Sequence, residues 1–302
     1  MMALTQPAKD MLQSYHYTGA EKGAHLLVLG AIHGDEPCGT IAIHAMMKAL
    51  NRKTLTLKKG SITFVPQCNP LAAAGKQAGM GEGVSSARYI NHNLNRIIGH
   101  YDGAARINAE HAYADQVASF IDGCDKLLDI HSFHTDGPPF VFEDYETQDV
   151  QSLALATGLR DIVVGWPALY GAATENDTVG YACARKKPAI LIECGQHNDP
   201  ESIGVAYRVI HNVLVNFGYI DAPMLDAAPA PRRIRVQDMT IKTKHGGFTK
   251  PYTHLSPITK GEVLAAYSDG HTVSAPYDGF IIMPAHHAAI GDEWFYTGTL
   301  LP

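Results

Sequence analysis

Short apolar runs alternate with longer stretches of helical spacing through the first two thirds of the chain. Leu26-Leu27-Val28-Leu29 is continuously apolar, as a parallel strand covered on both faces must be. Ile41, Ile43, Met46, Met47 and Leu50 then recur at helical intervals, and Pro37 ahead of them suits a first helical turn, where its missing N–H is harmless. The next strand is predicted over 61–66, and Asn69-Pro70 turns the chain out of it. Residues 72–93 are rich in Gly and polar side chains without a regular period, the texture of a functional loop. A helix is predicted over 104–121, with Ile107, His111, Val117, Phe120 and Ile121 at core spacings. Strands are then read at 126–130, 140–142, 162–164 and 188–192, and helices at 150–157, 178–187 and 202–217. Strand, helix, strand in repetition implies βαβ units and an α/β fold. No internal repeat is present.

The texture changes after Asp221. An Ala/Pro-rich stretch over 222–231 reads as a linker. Beyond it Ile234-Arg235-Val236, Val263–Tyr267, 279–283 and Trp294-Phe295-Tyr296 have short β texture, with Gly246-Gly247, Asp269-Gly270, Asp278-Gly279 and Gly291-Asp292 as turns. The division expected is a domain over 1–221, a linker over 222–231 and a small all-β domain over 232–302.

Composition narrows the class. At 302 residues, 46% hydrophobic and 18% charged, the chain has ample core for an ordinary soluble globular protein. A net charge of −6 without a Lys/Arg cluster argues against a nucleic-acid partner. No run approaches the roughly 18 apolar residues of a membrane span, and the N-terminus lacks the apolar centre of a signal peptide. Cys38, Cys68, Cys124, Cys183 and Cys194 are odd in number and scattered, which fits reduced thiols in a cytoplasmic protein. A homo-oligomer is left open.

Candidate chemistry sits at strand ends, where ligands gather in open α/β sheets. His33 and Glu36 lie where the strand at 26–29 passes into its helix. The plainer reading of that fragment is a loop histidine beside a helix-capping acid. The later strands shift the balance, because one ends at His131 and another at Glu193. Two imidazoles and a carboxylate make a three-ligand zinc site with one position open for water. Such an ion lowers the pKa of water and polarises a carbonyl. Glu193, outside the ligand set, is then placed for general acid–base work. Arg88 and Arg96 flank a second polar cluster, Arg88-Tyr89-Ile90-Asn91-His92-Asn93-Leu94-Asn95-Arg96. Arginines there suit carboxylate recognition and a developing oxyanion.

Gly30-Ala-Ile-His33-Gly-Asp-Glu36, Arg88 ahead of Leu94-Asn95-Arg96, Asp129-Ile-His131 and Ile192-Glu193-Cys194-Gly195 follow one another in that order. This pattern resembles the zinc carboxypeptidase superfamily, and within it the succinylglutamate desuccinylase/aspartoacylase branch. The resemblance spans nearly the whole chain. It implies a mixed, mostly parallel sheet flanked by helices, followed by a small C-terminal all-β domain. It further implies one zinc ion on His33, Glu36 and His131, with Glu193 as general acid/base. By the same match Arg88 polarises the scissile carbonyl, and Asn95 and Arg96 hold a substrate carboxylate. The branch also grips its substrate with Arg and Tyr residues ahead of the catalytic Glu. Tyr170, Tyr181 and Arg185 stand in that region without a clear match. Cys194 and Gln196-His197 depart from the usual texture.

Other polar residues have plain readings. Asp129 shares a strand face with His131, yet a helix-cap or surface role weighs more. His134, His286 and His287 read as loop histidines. Gly79-Met-Gly81-Glu-Gly83 lacks the strand and helix that a phosphate loop needs. The expected function is zinc-dependent cleavage of an amide beside a carboxylate in a small molecule, first of all deacylation of an N-acyl amino acid. A carboxypeptidase acting on short peptides or peptidoglycan stems is the neighbouring reading. A non-catalytic carboxylate- or metal-binding protein is the rival of another class.

Overall fold

A computed structural model describes residues 11–75, 87–99, 108–170, 176–227 and 230–302. The Gly-rich 79–83 stretch and the first residues of the helix predicted over 104–121 lie outside these. β1 (Tyr15–Thr18), β2 (Glu21–Gly30), α1 (Pro37–Asn51), β3 (Lys59–Val65) and the short α2 (Pro70–Ala74) open the chain. α3 (Ala109–Gly123) then leads to β4 (Lys126–Phe133), β5 (Phe140–Glu143), α4 (Gln148–Ala156) and β6 (Asp161–Val164). α5 (Pro167–Tyr170), α6 (Thr178–Ala184), β7 (Ala189–Gln196) and α7 (Glu201–Asn216) follow. The C-terminal region holds β8 (Arg232–Ile241), β9 (Gly246–Phe248), β10 (Ser256–Ile258), β11 (Val263–Tyr267), β12 (Thr272–Ser274), β13 (Gly279–Ile282) and β14 (Glu293–Leu300).

Among the described residues, eleven strands form one sheet in the order β1-β3-β2-β4-β7-β5-β6-β8-β14-β13-β10. Its centre is mostly parallel: β2 pairs that way with β3 and β4, β4 with β7, and β6 with β5 and β8. β5 runs antiparallel to β7, and β8, β14, β13 and β10 continue the sheet antiparallel. The fold is therefore the mixed α/β sheet expected, with a C-terminal antiparallel β region. β1, an edge strand of Tyr-His-Tyr-Thr, was not legible in the pattern, since its alternation between half-buried and exposed positions carries no apolar run.

The parallel strands read as apolar runs because helices cover both their faces. Leu26 and Val28 pack with Ala42, Ile43 and Met46 of α1 and with Val209, Ile210 and Val213 of α7. Leu27 and Leu29 face the other way, towards Val117 and Ile121 of α3 and Val179 and Ala182 of α6. All four strand residues are excluded from solvent, and each such side chain contributes about 1.5–3 kcal/mol by burial. The connection from β2 leads to β3 on one side, while β4 lies on the other. That reversal leaves a crevice at the carboxyl ends of β2 and β4, the usual place for a ligand in such sheets.

β8 enters the sheet directly, pairing Asp161 to Val164 of β6 with Arg232 to Arg235. Two buried carboxylates secure the junction, Asp161 with the Arg232 guanidinium and Glu143 with that of Arg233. A third core follows, in which Phe140 and Val163 meet Ile234, Ile282 and Tyr296.

Candidate metal centre and active-site pocket

The turn after β2 places the first two residues. Ala31 adopts a left-handed backbone with φ of +49°, unusual for a residue with a Cβ and a common feature of functional turns. Gly34 follows where a Cβ would lie 2.4 Å from main-chain atoms of Ala72 and Ala73, so only glycine fits. Glu36 stands at the N-cap of α1 but makes no side-chain cap bond. Its carboxylate turns inward instead.

There it meets two histidines. Glu36 Oε1 lies 2.9 Å from His33 Nδ1 and Oε2 lies 2.8 Å from His131 Nδ1, while the two Nδ1 atoms are 3.2 Å apart. All three residues are at most 2% exposed. Ligands about 2.0–2.1 Å from a tetrahedral zinc lie roughly 3.3 Å from one another, so the donor set fits such an ion in both type and spacing. Among the described residues this is the group of His, Cys, Asp and Glu able to hold a metal. Burial is the main force lowering the pKa of His33, to about 4, which keeps the ring neutral and its lone pair free for a metal. For Glu36 burial opposes the charge, but His33 and His131 outweigh it and hold the carboxyl well below the usual range. Arg88 donates to Glu36 Oε1 at 2.8 Å, and the Ser132 amide donates to Oε2 at 3.1 Å.

Asp129 corrects the plain reading. It is neither a cap nor a surface acid: it is fully buried, with Oδ2 3.0 Å from His131 Nε2, although not aligned as a hydrogen bond. Thr178 donates its hydroxyl to the same oxygen from the first turn of α6. Burial disfavours a charged His131, but Asp129 and Glu36 together raise its pKa well above the imidazole range.

Glu193 sits beside His131 in register across β4 and β7. It is 6% exposed, and its Oε2 has no hydrogen-bond partner. Burial, and then the Glu36 charge, push its pKa up to about 8. A divalent cation on the neighbouring ligands would draw it back towards neutrality. Such a carboxyl can both accept and return a proton.

The second cluster is ordered by one buried acid. Glu110 of α3 accepts the amides of Ile90, Asn91 and His92 at 2.8, 2.7 and 2.7 Å, and Asn69 Nδ2 at 3.2 Å. This holds the strap carrying Arg88, Asn95 and Arg96. Asn93 accepts from the Asn95 amide at 2.9 Å and also lies 3.0 Å from His33 Nε2. Asn95 Oδ1 accepts the Thr178 amide at 2.9 Å. Arg96 is exposed, donates to the Asn95 carbonyl at 2.8 Å and lies 5.8 Å from the centre of the Tyr170 ring.

A cavity of about 310 Å³ joins these parts. His33, Arg88, Asn95, Arg96, His131 and Glu193 all line it, and Glu36 lies just behind. Of the unmatched residues, Tyr170 stands beside the pocket, bonded to Glu293 and Tyr296. Tyr181 and Arg185 stack on each other and bind Asp122, away from it. His134 and His197 line the cavity, His197 within 2.8 Å of the Ser132 hydroxyl. His286 is instead bound to the Tyr252 carbonyl. Sequence reasoning missed Asp144, Trp166, Asp177 and Tyr296, which also line the cavity. Asp144 follows directly on the end of β5, the same kind of position that singled out Glu193.

Comparison with known proteins places the chain among its relatives. The sequence profile of the succinylglutamate desuccinylase/aspartoacylase catalytic domain matches residues 22–214. The N-alpha-acetyl-L-2,4-diaminobutyric acid deacetylase of Halomonas elongata is 23% identical over 269 residues, 82% of this chain and 71% of that protein. Among solved structures, the succinylglutamate desuccinylase/aspartoacylase of Rhodobacter sphaeroides superposes with a TM-score of 0.76 at 18% identity, covering 96% of this chain and 89% of that one. The product-bound ectoine utilization protein EutE (DoeB) of Ruegeria pomeroyi gives 0.72 at 19% identity, covering 95% and 88%. With that profile spanning well over half of the chain, the protein belongs to the succinylglutamate desuccinylase/aspartoacylase family.

Proposed function

We propose that the protein is a zinc-dependent deacylase that hydrolyses the amide of a small N-acyl amino acid. The observation that carries this is the convergence of His33, Glu36 and His131 beside the enclosed, unpartnered carboxyl of Glu193. Zinc held by those three residues would supply Lewis acidity and a lowered pKa for water. Glu193 takes the proton of the attacking water and returns it to the leaving nitrogen. Arg88 faces the carbonyl oxygen, where a guanidinium offsets developing negative charge. Asn95 and Arg96 hold the α-carboxylate of the amino acid, which fixes the amide over the ion.

A cavity of about 310 Å³ lies at the small end of ligand sites and suits an acylated amino acid better than a peptide or a peptidoglycan stem. A binding protein has no use for an acid–base carboxyl, which weighs against a non-catalytic role. The Halomonas relative is named as a deacetylase of an N-acetyl amino acid, in line with this reading. No helix among the described residues is long and apolar enough to cross a membrane. Five free thiols fit a reducing compartment, and we place the enzyme in the cytoplasm.

The test is release of free amino acid from a panel of N-acetyl and N-succinyl amino acids by the zinc-loaded protein. Chelation should abolish release and added zinc restore it. Cleavage of dipeptides with no action on any N-acyl amino acid would overturn the reading.

A further inference from the structure

The chain that follows Glu193 brings into the pocket a histidine for which the mechanism above has no use. His131 pairs with Glu193 and Phe133 with Gln196, so β7 carries one residue more than β4 between the two pairs. Gly195, at φ of +117°, lets the chain make that bulge, a device that re-aims side chains beside active sites. His197 then lies against the end of β4, its amide donating to the Phe133 carbonyl at 3.0 Å and its Nδ1 lying 2.8 Å from the Ser132 hydroxyl. Ser132 is buried and its own amide donates to Glu36, so the imidazole is clamped to the strand that carries His131. His197 itself is only partly buried and lines the cavity, and its Nε2 has no hydrogen-bond partner among the described residues. Unlike Glu193 Oε2, that nitrogen is not closed off from solvent.

The surroundings of His33, Glu36 and His131 divide into two ends. At one, Arg96 lies near Tyr170, Asn95 takes the Thr178 amide, and Asp177 and Tyr170 feel the Arg96 charge. At the other, Arg88 is bonded to Glu36, and Asp35 and His134, which line the cavity, feel the charges of Arg88 and His197. An amide is planar and trans, so its acyl carbon and its amino-acid carbon leave in opposite directions. A substrate whose α-carboxylate lies at the Arg96 end therefore directs its acyl chain towards the Arg88 end, where His197 Nε2 is open. With the ring proton on Nε2 this nitrogen donates, and with the proton on Nδ1 it accepts. Either tautomer presents a polar atom there.

We propose that His197, held by Ser132, contacts the acyl group and selects short acyl chains that end in a hydrogen-bonding group over alkyl chains of equal length. This rests on the deacylase reading above and concerns the acyl half of the same substrate. A hydroxyl at the chain end bonds Nε2 in either tautomer. A methyl there displaces water from the nitrogen and leaves it without a partner.

The test takes the amino acid released fastest in the panel above and acylates it with pairs of equal length, glycolyl with propionyl and 3-hydroxypropionyl with butyryl. The better hydroxyacyl compound should exceed its alkyl partner in kcat/KM by about tenfold, the scale of one hydrogen bond whose partner is otherwise left unpaired. In His197→Leu that ratio should fall to one or below with zinc content retained, whereas His197→Gln, which keeps a hydrogen-bonding end, should hold it above one. Arg96→Ala should slow both members alike and leave the ratio where it was. His197→Ala reads the same ratio if His197→Leu does not fold. A wild-type ratio near one overturns the proposal, as does a ratio unmoved in His197→Leu and His197→Ala or lost in Arg96→Ala. If no N-acyl amino acid is cleaved, the deacylase reading falls instead. Calorimetry with the same compounds then decides the contact separately: a hydroxyacyl preference that His197→Leu abolishes sustains it, and equal or absent binding overturns it.

Discussion

His131 is held from two sides, by Glu36 on Nδ1 and by Asp129 near Nε2. A carboxylate behind a metal-binding imidazole fixes its orientation and strengthens it as a ligand, and its loss typically lowers metal affinity about 10–100-fold. Asp129→Asn should therefore bind zinc more weakly by that factor in a competition titration, whereas His131→Ala should lose most of the metal. Equal affinity in Asp129→Asn and wild type would reduce Asp129 to a packing role. Glu193→Gln keeps size but removes the base, so turnover should fall by about 10²–10⁴ with zinc content retained. If the metal left with it, Glu193 would be a ligand and the division of labour proposed here would be wrong. His33, Glu36, His131 and Glu193 stood out in the chain because each follows a strand run or its turn, and the first three meet as a buried group able to hold a metal. Asp129 was undervalued for a physical reason. In β4 every residue after Lys126 is buried, since the strand is covered on both faces, so alternation gives no hint of which polar residue matters.

At the scale of elements, the strap bearing Arg88, Asn95 and Arg96 takes its shape from α3 and not from its own residues. Three of its amides converge on Glu110. Glu110→Gln would turn an amide N–H₂ towards at least one of those donors, for a loss of about 2 kcal/mol in local stability. Amide hydrogen exchange at Ile90, Asn91 and His92 should report it directly, and unchanged protection would show that the strap is ordered elsewhere. Burial opposes the charge of Glu110, but these backbone bonds outweigh it and hold the folded pKa below the ordinary 4.5. A depressed carboxylate stabilises fully above its unfolded value and ceases to as pH falls through its folded one. Protection of the three amides should therefore fade on acidification below about pH 4.5 in the wild type, and Glu110→Gln should show little pH dependence there. None of this was visible in a Gly-rich, aperiodic sequence, because the organising residue lies in a separate helix. The strands and helices themselves were legible to within a few residues where apolar spacing was strong, as for α1 and α7.

For the whole molecule, the decisive feature is the single sheet that runs from β1 to β10 through the β6–β8 junction. Trp166 lies in the pocket wall after β6 and Trp294 in the C-terminal core. With the sheet continuous between them, urea unfolding followed through either tryptophan alone, the other changed to Phe, should give coincident transitions. Separated midpoints would mean that the C-terminal region unfolds on its own. Asp144, Trp166 and Tyr296 of the pocket lining were hidden from sequence reading for the same architectural reason: the first two follow β5 and β6, the third lies in β14, and only tertiary assembly brings them together. Thr178 gives its hydroxyl to Asp129 and its amide to Asn95, and Asp177 precedes it in the pocket lining. One short helix start thus touches Asp129 behind the proposed ligand His131, the residue assigned to the carboxylate and, through Asp177, the lining of the pocket. In evolutionary terms these traits are not free to drift apart. If an ion is held as proposed, a lineage that acquires a new substrate by changes at this turn should also inherit an altered grip on it, and mutations compensating for that should gather around Asp129.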